Sequence, residues 1–441
     1  MKKLLLVASA LTLITTSAMA SQSRLLALGM KETDNDGMYH ISDARNIFLN
    51  PAYVNMYSNY VISEYGSFGT KAATTPTPAP GAATLDQTSG PKAQGGIFKT
   101  YGNMVYGAYF GNESNTSSLL RVVGTSAIAT FDGATAANGI GSSSKMLNTA
   151  DNQIDLFVGG DAGVKWGANV LAAFGKDSSR QAKDTAIATR FGAMGSDWDA
   201  HLNLSLASKA SASESISAAG LAVVATNVEQ DFKGKLGVHV GGSYVLSGNS
   251  RLFGYVKRYS WEQTDSFNGY ATLAALGGQN GTVKGDFTSY YFGWGTHMDV
   301  NSTDKVWFSL AARKTDINAK FTTKAQVRQI VAPFVVAYEA KATDWLTLRG
   351  SVSQTIWNKK DNKGSASLNP VGRSLITGIY GSDGKGTIAN QTEVNGGLSL
   401  TFGKLVVDGL VGTTDSTGAV SKTGILSWNK LATKAAVTYN F

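Results

Sequence analysis

The residue types that could do chemistry in this chain stand at alternate positions, not in compact motifs. In Trp198-Asp199-Ala200-His201-Leu202-Asn203-Leu204, the polar residues Asp199, His201 and Asn203 share one side of an alternating run. A carboxylate, an imidazole and an amide on one face could serve a hydrolase, but no serine can be assigned to them by spacing. A polar channel wall asks for the same residue types, so no enzyme activity is expected. His40, His201, His239 and His297 show no paired-ligand spacing, which argues against a histidine-held metal. Asp34, Asp36 and Asp43, with Glu32 and Gly37, approach the alternate-carboxylate spacing of a calcium loop. No flanking helix pair accompanies them, and an exposed acidic turn explains them as well; no cofactor is expected. Basic residues are spread along the chain, which leaves no footprint for nucleic acid.

The elements that must position these residues speak in period two. Phe232-Lys233-Gly234-Lys235-Leu236-Gly237-Val238-His239-Val240 alternates, as do Lys305 to Leu310 and Leu346 to Val352. The runs last about ten residues, the length of a tilted strand crossing a bilayer. Tight connections are expected at Tyr101-Gly102-Asn103, Gly159-Gly160-Asp161, Gly195-Ser196-Asp197, Ser247-Gly248-Asn249, Asn301-Ser302-Thr303, Ala342-Thr343-Asp344 and Phe402-Gly403-Lys404. Longer polar stretches separate them at 67–93, 111–153, 175–184, 208–231, 264–285, 318–329, 358–391 and 412–431. Seven short turns and eight long loops predict an all-β, antiparallel transmembrane barrel of sixteen strands, with fourteen as the alternative and both termini periplasmic. The eight tryptophans (Trp166, Trp198, Trp261, Trp294, Trp307, Trp345, Trp357, Trp428) fall in or beside these strands, where interfacial girdles put them. The Pro- and Thr-rich patch 72–81 suits an external loop, and Ile128 to Ile140 is apolar enough to fold inward.

If apolar positions face lipid, the inward set comprises Lys165, Arg190, Asp199, His201, Lys233, Lys235, His239, Lys305, Arg313, Glu339, Lys341, Arg349, Glu393 and Lys434. Nine cations against three carboxylates would concentrate anions and favour their passage. Pairing with loop carboxylates, or placement at the periplasmic rim, would remove that preference.

Composition agrees with an exported barrel. Of 441 residues, 16% are charged and 10% aromatic, with 50 glycines, 7 prolines and no cysteine. No disulfide framework is available, so the fold must hold by burial and backbone pairing. Lys2 and Lys3, the apolar Leu4 to Ile14 and Ala18-Met19-Ala20 form the three regions of a signal peptide over residues 1–20. Its removal takes the net charge from +8 to 37 − 31 = +6. Residues 21–56 then form a periplasmic or lumen-inserted segment and residues 57–441 the barrel. Val437, Tyr439 and the terminal Phe441 resemble the assembly signal of outer-membrane proteins, which implies the barrel-assembly machinery as partner.

The hairpin rhythm and C-terminal ending resemble Gram-negative porins, and the whole chain looks like major outer-membrane proteins of predatory bacteria. Ser23 to Met30, followed by Asn46-Ile47-Phe48-Leu49-Asn50-Pro51-Ala52, is similar to the long-chain fatty-acid transporter family, whose N-terminal segment folds into the barrel as a hatch. Residues 21–56 are short and polar beside that pattern. The expectation is a bacterial outer-membrane channel amid lipid and lipopolysaccharide, with a homotrimer open as an assembly. The first reading is a porin for small hydrophilic solutes; the alternatives are a hatch-bearing transporter of hydrophobic compounds and a non-transporting surface barrel.

Overall fold

The computed structural model describes residues 21–30, 39–65, 93–112, 152–177, 182–216, 226–268, 281–364, 383–387, 392–413 and 434–441. Its β-segments are β1 (Tyr60–Tyr65), β2 (Ala93–Tyr101), β3 (Met104–Phe110), β4 (Asn152–Asp161), β5 (Lys165–Asp177) and β6 (Ala182–Met194). They continue as β7 (Trp198–Ile216), β8 (Thr226–Gly234), β9 (Gly237–Ser247), β10 (Ser250–Asn268), β11 (Gly281–Asp299) and β12 (Lys305–Lys320). The last are β13 (Lys324–Lys341), β14 (Leu346–Lys363), β15 (Gly384–Thr387), β16 (Thr392–Phe402), β17 (Leu405–Thr413) and β18 (Lys434–Asn440).

All eighteen segments join one antiparallel sheet, and β1 pairs with both β2 and β18, so the sheet closes. β8 and β9 together fill the place between β7 and β10, and β15 and β16 both lie on β14. Two of the eighteen segments are therefore continuations, which leaves sixteen strands. Closure satisfies every strand edge, the condition for exposing a sheet to lipid. Tyr60 pairs with Asn440, so the chain enters and leaves the barrel at the same end. That end also carries the seven short connections.

Alternation sorts the side chains. Along β11, Tyr290, Phe292, Trp294 and Met298 are exposed outward, while Val283, Phe287 and Ser289 are buried inside. On β13 the outward apolar positions run from Tyr338 to Ile330, and with Ala340 they span about 25 Å at ~40° tilt, the height of a bilayer's apolar band.

Three expectations change. The turn foreseen at 159–161 lies at 162–164, where Gly163 takes a φ of +86°. Several strands outrun the apolar signal: β7, β10 and β11 each have 19 residues, and the loop foreseen at 318–329 shrinks to the three residues between β12 and β13. Ladder hydrogen bonds continue above the bilayer, where the outer face becomes polar and apolar residues such as Phe232, Val283 and Ile317 take the inner one, so the pattern no longer marks a lipid-facing side. Trp261 and Trp307 are buried inside the wall and so belong to no girdle, whereas Trp166, Trp198, Trp294, Trp345 and Trp357 are exposed outward. Trp428, residues 1–20, the patch 72–81 and Ile128 to Ile140 lie outside the described residues.

Candidate functional site

Residues 21–30 and 39–57 occupy the lumen at the short-turn end. Ser21 caps the helix α1 (Gln22–Ala27), its hydroxyl accepting from the Arg24 amide. Asp43 caps a 3-10 turn over Ala44–Phe48, and Asn50 caps a second over Pro51–Asn55, with Pro51 at its first position. These caps let short turns form in a segment too brief for a helix to hold alone. Ala27, Leu28, Ala52 and Val54 are wholly buried. The wall is cut back to receive them: a Cβ on Gly167 would collide with the Pro51 carbonyl, and one on Gly192 with the Asn50 side chain. Asn50 Nδ2 donates to the Ala200 carbonyl at 3.2 Å, and Asn203 Nδ2 donates to the Leu49 carbonyl at 3.1 Å.

Buried charges fasten this plug. Arg24 contacts Asp43 at 2.8 Å and Glu339 of β13 at 2.9 Å. Glu339 also pairs with Arg349 of β14, and Arg349 reaches Asp408 of β17 at 2.8 Å. Ser21 Oγ closes the chain by donating to Asp408 at 3.0 Å. Two strands along from β17, Arg45 pairs with Glu64 of β1, donates to Asn112 at 2.8 Å and lies 4.7 Å over the Phe48 ring. Burial pushes the Asp43 carboxyl up to about 6, against the opposing pull of Arg24. For Arg24, burial acts downward, but Glu339 and Asp43 more than reverse it and hold the guanidinium above its ordinary value. Removing one partner from such a buried pair typically costs ~3–5 kcal/mol.

The foreseen residues divide by face. Arg190, Asp199, His201, His239 and Arg349 are buried on the inner face. Lys165, Lys305, Arg313, Glu339, Lys341 and Glu393 share the inward register. Of these, Lys165, Lys305 and Lys341 stand at the turn-end rim, paired with Asp161, Asp299 and Asp344. Lys233 and Lys235 face outward, because their neighbours Phe232 and Gly234 take the inner positions. Apolar alternation reverses meaning there: above the bilayer the inside is the drier face. The side chain of Lys434, and Glu32, Asp34, Asp36 and Gly37, lie outside the described residues. Asp43 serves as a helix cap and an Arg24 partner, and among the described residues no cluster of three metal-ligating side chains occurs. Val437, Tyr439 and Phe441 are exposed outward.

Arg24, Arg45, Glu64, Asp155 and Asp408 were not foreseen. Asp155 in Ile154-Asp155-Leu156 and Asp408 in Val407-Asp408-Gly409 carried a signal, a lone carboxylate in an apolar run. Arg190 contacts Asp155 at 2.8 Å with both side chains fully buried.

Above the plug the lumen is layered. Asn169, Arg190, Asn203, His239, Lys257, Ser289, Thr315 and Gln329 are successive register partners and form a polar tier. His201 stacks with Tyr39 of the plug and edge-on with His239, ring centroids 5.8 and 4.8 Å apart. Higher still, Phe232, Tyr259, Trp261, Val283, Phe287 and Ile317 are buried inside, an apolar and aromatic tier. Below the plug, a cavity of about 430 Å³ at the turn end is lined by Ser42, Tyr53, Lys165, Asp199 and Arg251, among others.

A closed sixteen-strand barrel with an apolar exterior and short turns, which the chain enters and leaves at one end, is a β-barrel of the bacterial outer membrane. No family model matches the chain, and no curated protein matches it. Among solved structures it is similar to a Pseudomonas aeruginosa FadL homologue, at 11% identity and a TM-score of 0.42, over 96% of this chain and 99% of that one. It is similar to the CymD monoaromatic hydrocarbon channel at 11% identity and a TM-score of 0.38, over 95% and 97% of the two chains. An anion-selective porin from Comamonas acidovorans follows at 14% identity and a TM-score of 0.31, over 78% and 97%.

Proposed function

We propose that this chain is a gated outer-membrane transporter for small apolar or amphipathic compounds, with residues 21–30 and 39–57 as its hatch. The observation that carries the reading is the N-terminal segment itself, buried in the lumen and held to β13, β14 and β17 through Arg24, Glu339, Arg349 and Asp408. A sixteen-strand barrel is otherwise wide enough for an aqueous channel, so a fastened insert gives it a closed state. The apolar tier of Tyr259, Trp261 and Phe287 above the hatch supplies the ligand class, since aromatic walls hold apolar solutes while a few polar groups orient them. A porin open to hydrophilic solutes is the reading against which this one is measured.

The test is planar-bilayer conductance of the refolded chain beside uptake of a radiolabelled fatty acid and a monoaromatic hydrocarbon into proteoliposomes. Wild type is expected to conduct ions poorly while taking up at least one apolar probe. Arg24→Ala is expected to open frequent, larger ion steps by loosening the hatch. Large, steady ohmic steps from wild type, with no uptake of either probe, would return the chain to the open-porin reading.

A further inference from the structure

The outer face of the barrel changes character above Val256, Tyr290 and Ile330, the last exposed apolar positions on β10, β11 and β13. One register row in this upper zone is unusual. Lys209, Lys233, Glu262, Lys284, Lys320 and Lys324 follow one another as direct partners across β7, β8, β10, β11, β12 and β13. All point outward, because their chain neighbours Ala210, Phe232, Gln263, Val283, Ala319 and Ala325 are buried inside. Like charges directly opposite on a sheet destabilise it. Here lysine faces lysine three times: Lys209 with Lys233, Lys284 with Lys320, and Lys320 with Lys324. Glu262 contacts Lys235 at 2.7 Å and Lys284 at 3.5 Å. No carboxylate among the described residues pairs with Lys209, Lys233, Lys320 or Lys324.

The row two steps nearer the bilayer behaves otherwise. Arg258, Thr288, Asp316, Arg328, Asp361 and Lys385 also run as partners, but their signs alternate, with Arg328 at 3.2 Å from Asp316 and Lys385 at 3.9 Å from Asp361. That row is close to neutral, three cations against two carboxylates. The lysine row is not, and it stands about 15 Å above Ile330 once strand rise and tilt are combined. This height is beyond the ~5–8 Å of a phospholipid headgroup region, where the saccharides of lipopolysaccharide extend from the leaflet facing away from the short turns.

We propose that the outward row Lys209, Lys233, Lys284, Lys320 and Lys324 is a binding belt for the polyanionic saccharide head of lipopolysaccharide. Anionic groups lodged between facing ammonium groups would relieve the lysine–lysine repulsion that the ladder imposes. Acyl chains of the same molecule would then lie along the apolar band below. The belt draws on outer-face residues alone and does not depend on the hatch.

The experiment measures binding of purified lipopolysaccharide to the refolded full chain in neutral detergent, with phosphatidylglycerol as the second probe. Three proteins are compared: wild type, a Lys284→Gln/Lys320→Gln/Lys324→Gln variant, and an Arg328→Gln control in the mixed-charge row. Each lysine near an anionic layer is worth about five-fold in affinity, so the triple variant should bind lipopolysaccharide on the order of a hundred-fold more weakly at low salt. Wild type and the control should stay close together, and wild type should prefer lipopolysaccharide to phosphatidylglycerol. Equal affinity of wild type and a folded triple variant overturns the belt. Equal binding of both lipids by wild type overturns the saccharide assignment and leaves a general anionic contact. All three lysines are exposed at strand positions without a packing role, and retained circular dichroism of the variant confirms that its barrel has formed.

Discussion

Asp43 sits where burial and pairing oppose each other, 2.8 Å from an arginine that Glu339 shares. Its carboxyl is raised to about 6 in the seated hatch from an ordinary value near 3.8, with burial the largest cause. The seated form therefore binds this proton more tightly than the released form does. Between those two values, falling pH favours seating, and rising pH through about 6 weakens it by the work of burying an ionised carboxylate. Arg24 keeps its contact to Glu339 when Asp43 is protonated, so acid does not undo the fastening. Hydrogen exchange over residues 22–57 is expected to be slower at pH 5 than at pH 8, after correction for intrinsic rates. Faster exchange at pH 5 would mean that the Arg24–Asp43 attraction governs instead. At this scale the sequence shows a polar inner face but not its partners. Asp199, His201 and His239 lie on one face because period two requires it, while the meeting of Arg24 with Glu339 spans 315 positions and leaves no local trace.

Strands and turns were more legible than the hatch. Alternation in β9, β12 and β14 marks their pitch directly, and Gly102, Gly248 and Gly403 at positive φ mark three of the tight turns. The 3-10 turns over Ala44–Phe48 and Pro51–Asn55 carry capping residues that also suit a loop, so their burial could be decided only by the wall that surrounds them. The same limit moved Lys233 and Lys235 to the outside, because alternation gives two faces without saying which is wet. Gly192 ties strand to hatch. Gly192→Val leaves the β5–β6 ladder intact, since valine suits a strand, but drives its side chain into Asn50. The expected result is a barrel that folds and resists denaturant almost as wild type does, with residues 50–57 newly open to limited proteolysis. Protection equal to wild type would show that the groove has room to spare.

At the scale of the whole molecule, the lumen is filled in tiers: a fastened insert at the short-turn end, a polar tier across the middle and an aromatic tier above. The exterior is tiered too, apolar in the membrane, near-neutral at its edge and basic beyond. The two stacks meet only through the wall, which lets the outer surface answer to lipid while the inner one answers to solute.

The insert is joined to β1 at once, for Tyr57 is fully engaged and Tyr60 already pairs with Asn440, with Asn59 between them at a φ of +61°. Three residues of extended chain reach about 10 Å at most, so the insert is leashed and cannot leave the barrel as a cork leaves a bottle. Its far end, α1, lies against β14, β16 and β17, while the leashed end packs on β4, β5 and β6. Release must therefore begin at α1 and clear a crescent along one side, an off-axis path beneath β13 to β17. The chain has no cysteine, so stapling can be placed at will. A staple made by Ala27→Cys with Gly397→Cys should silence transport until reduced, whereas one made by Val54→Cys with Gly159→Cys should leave it running.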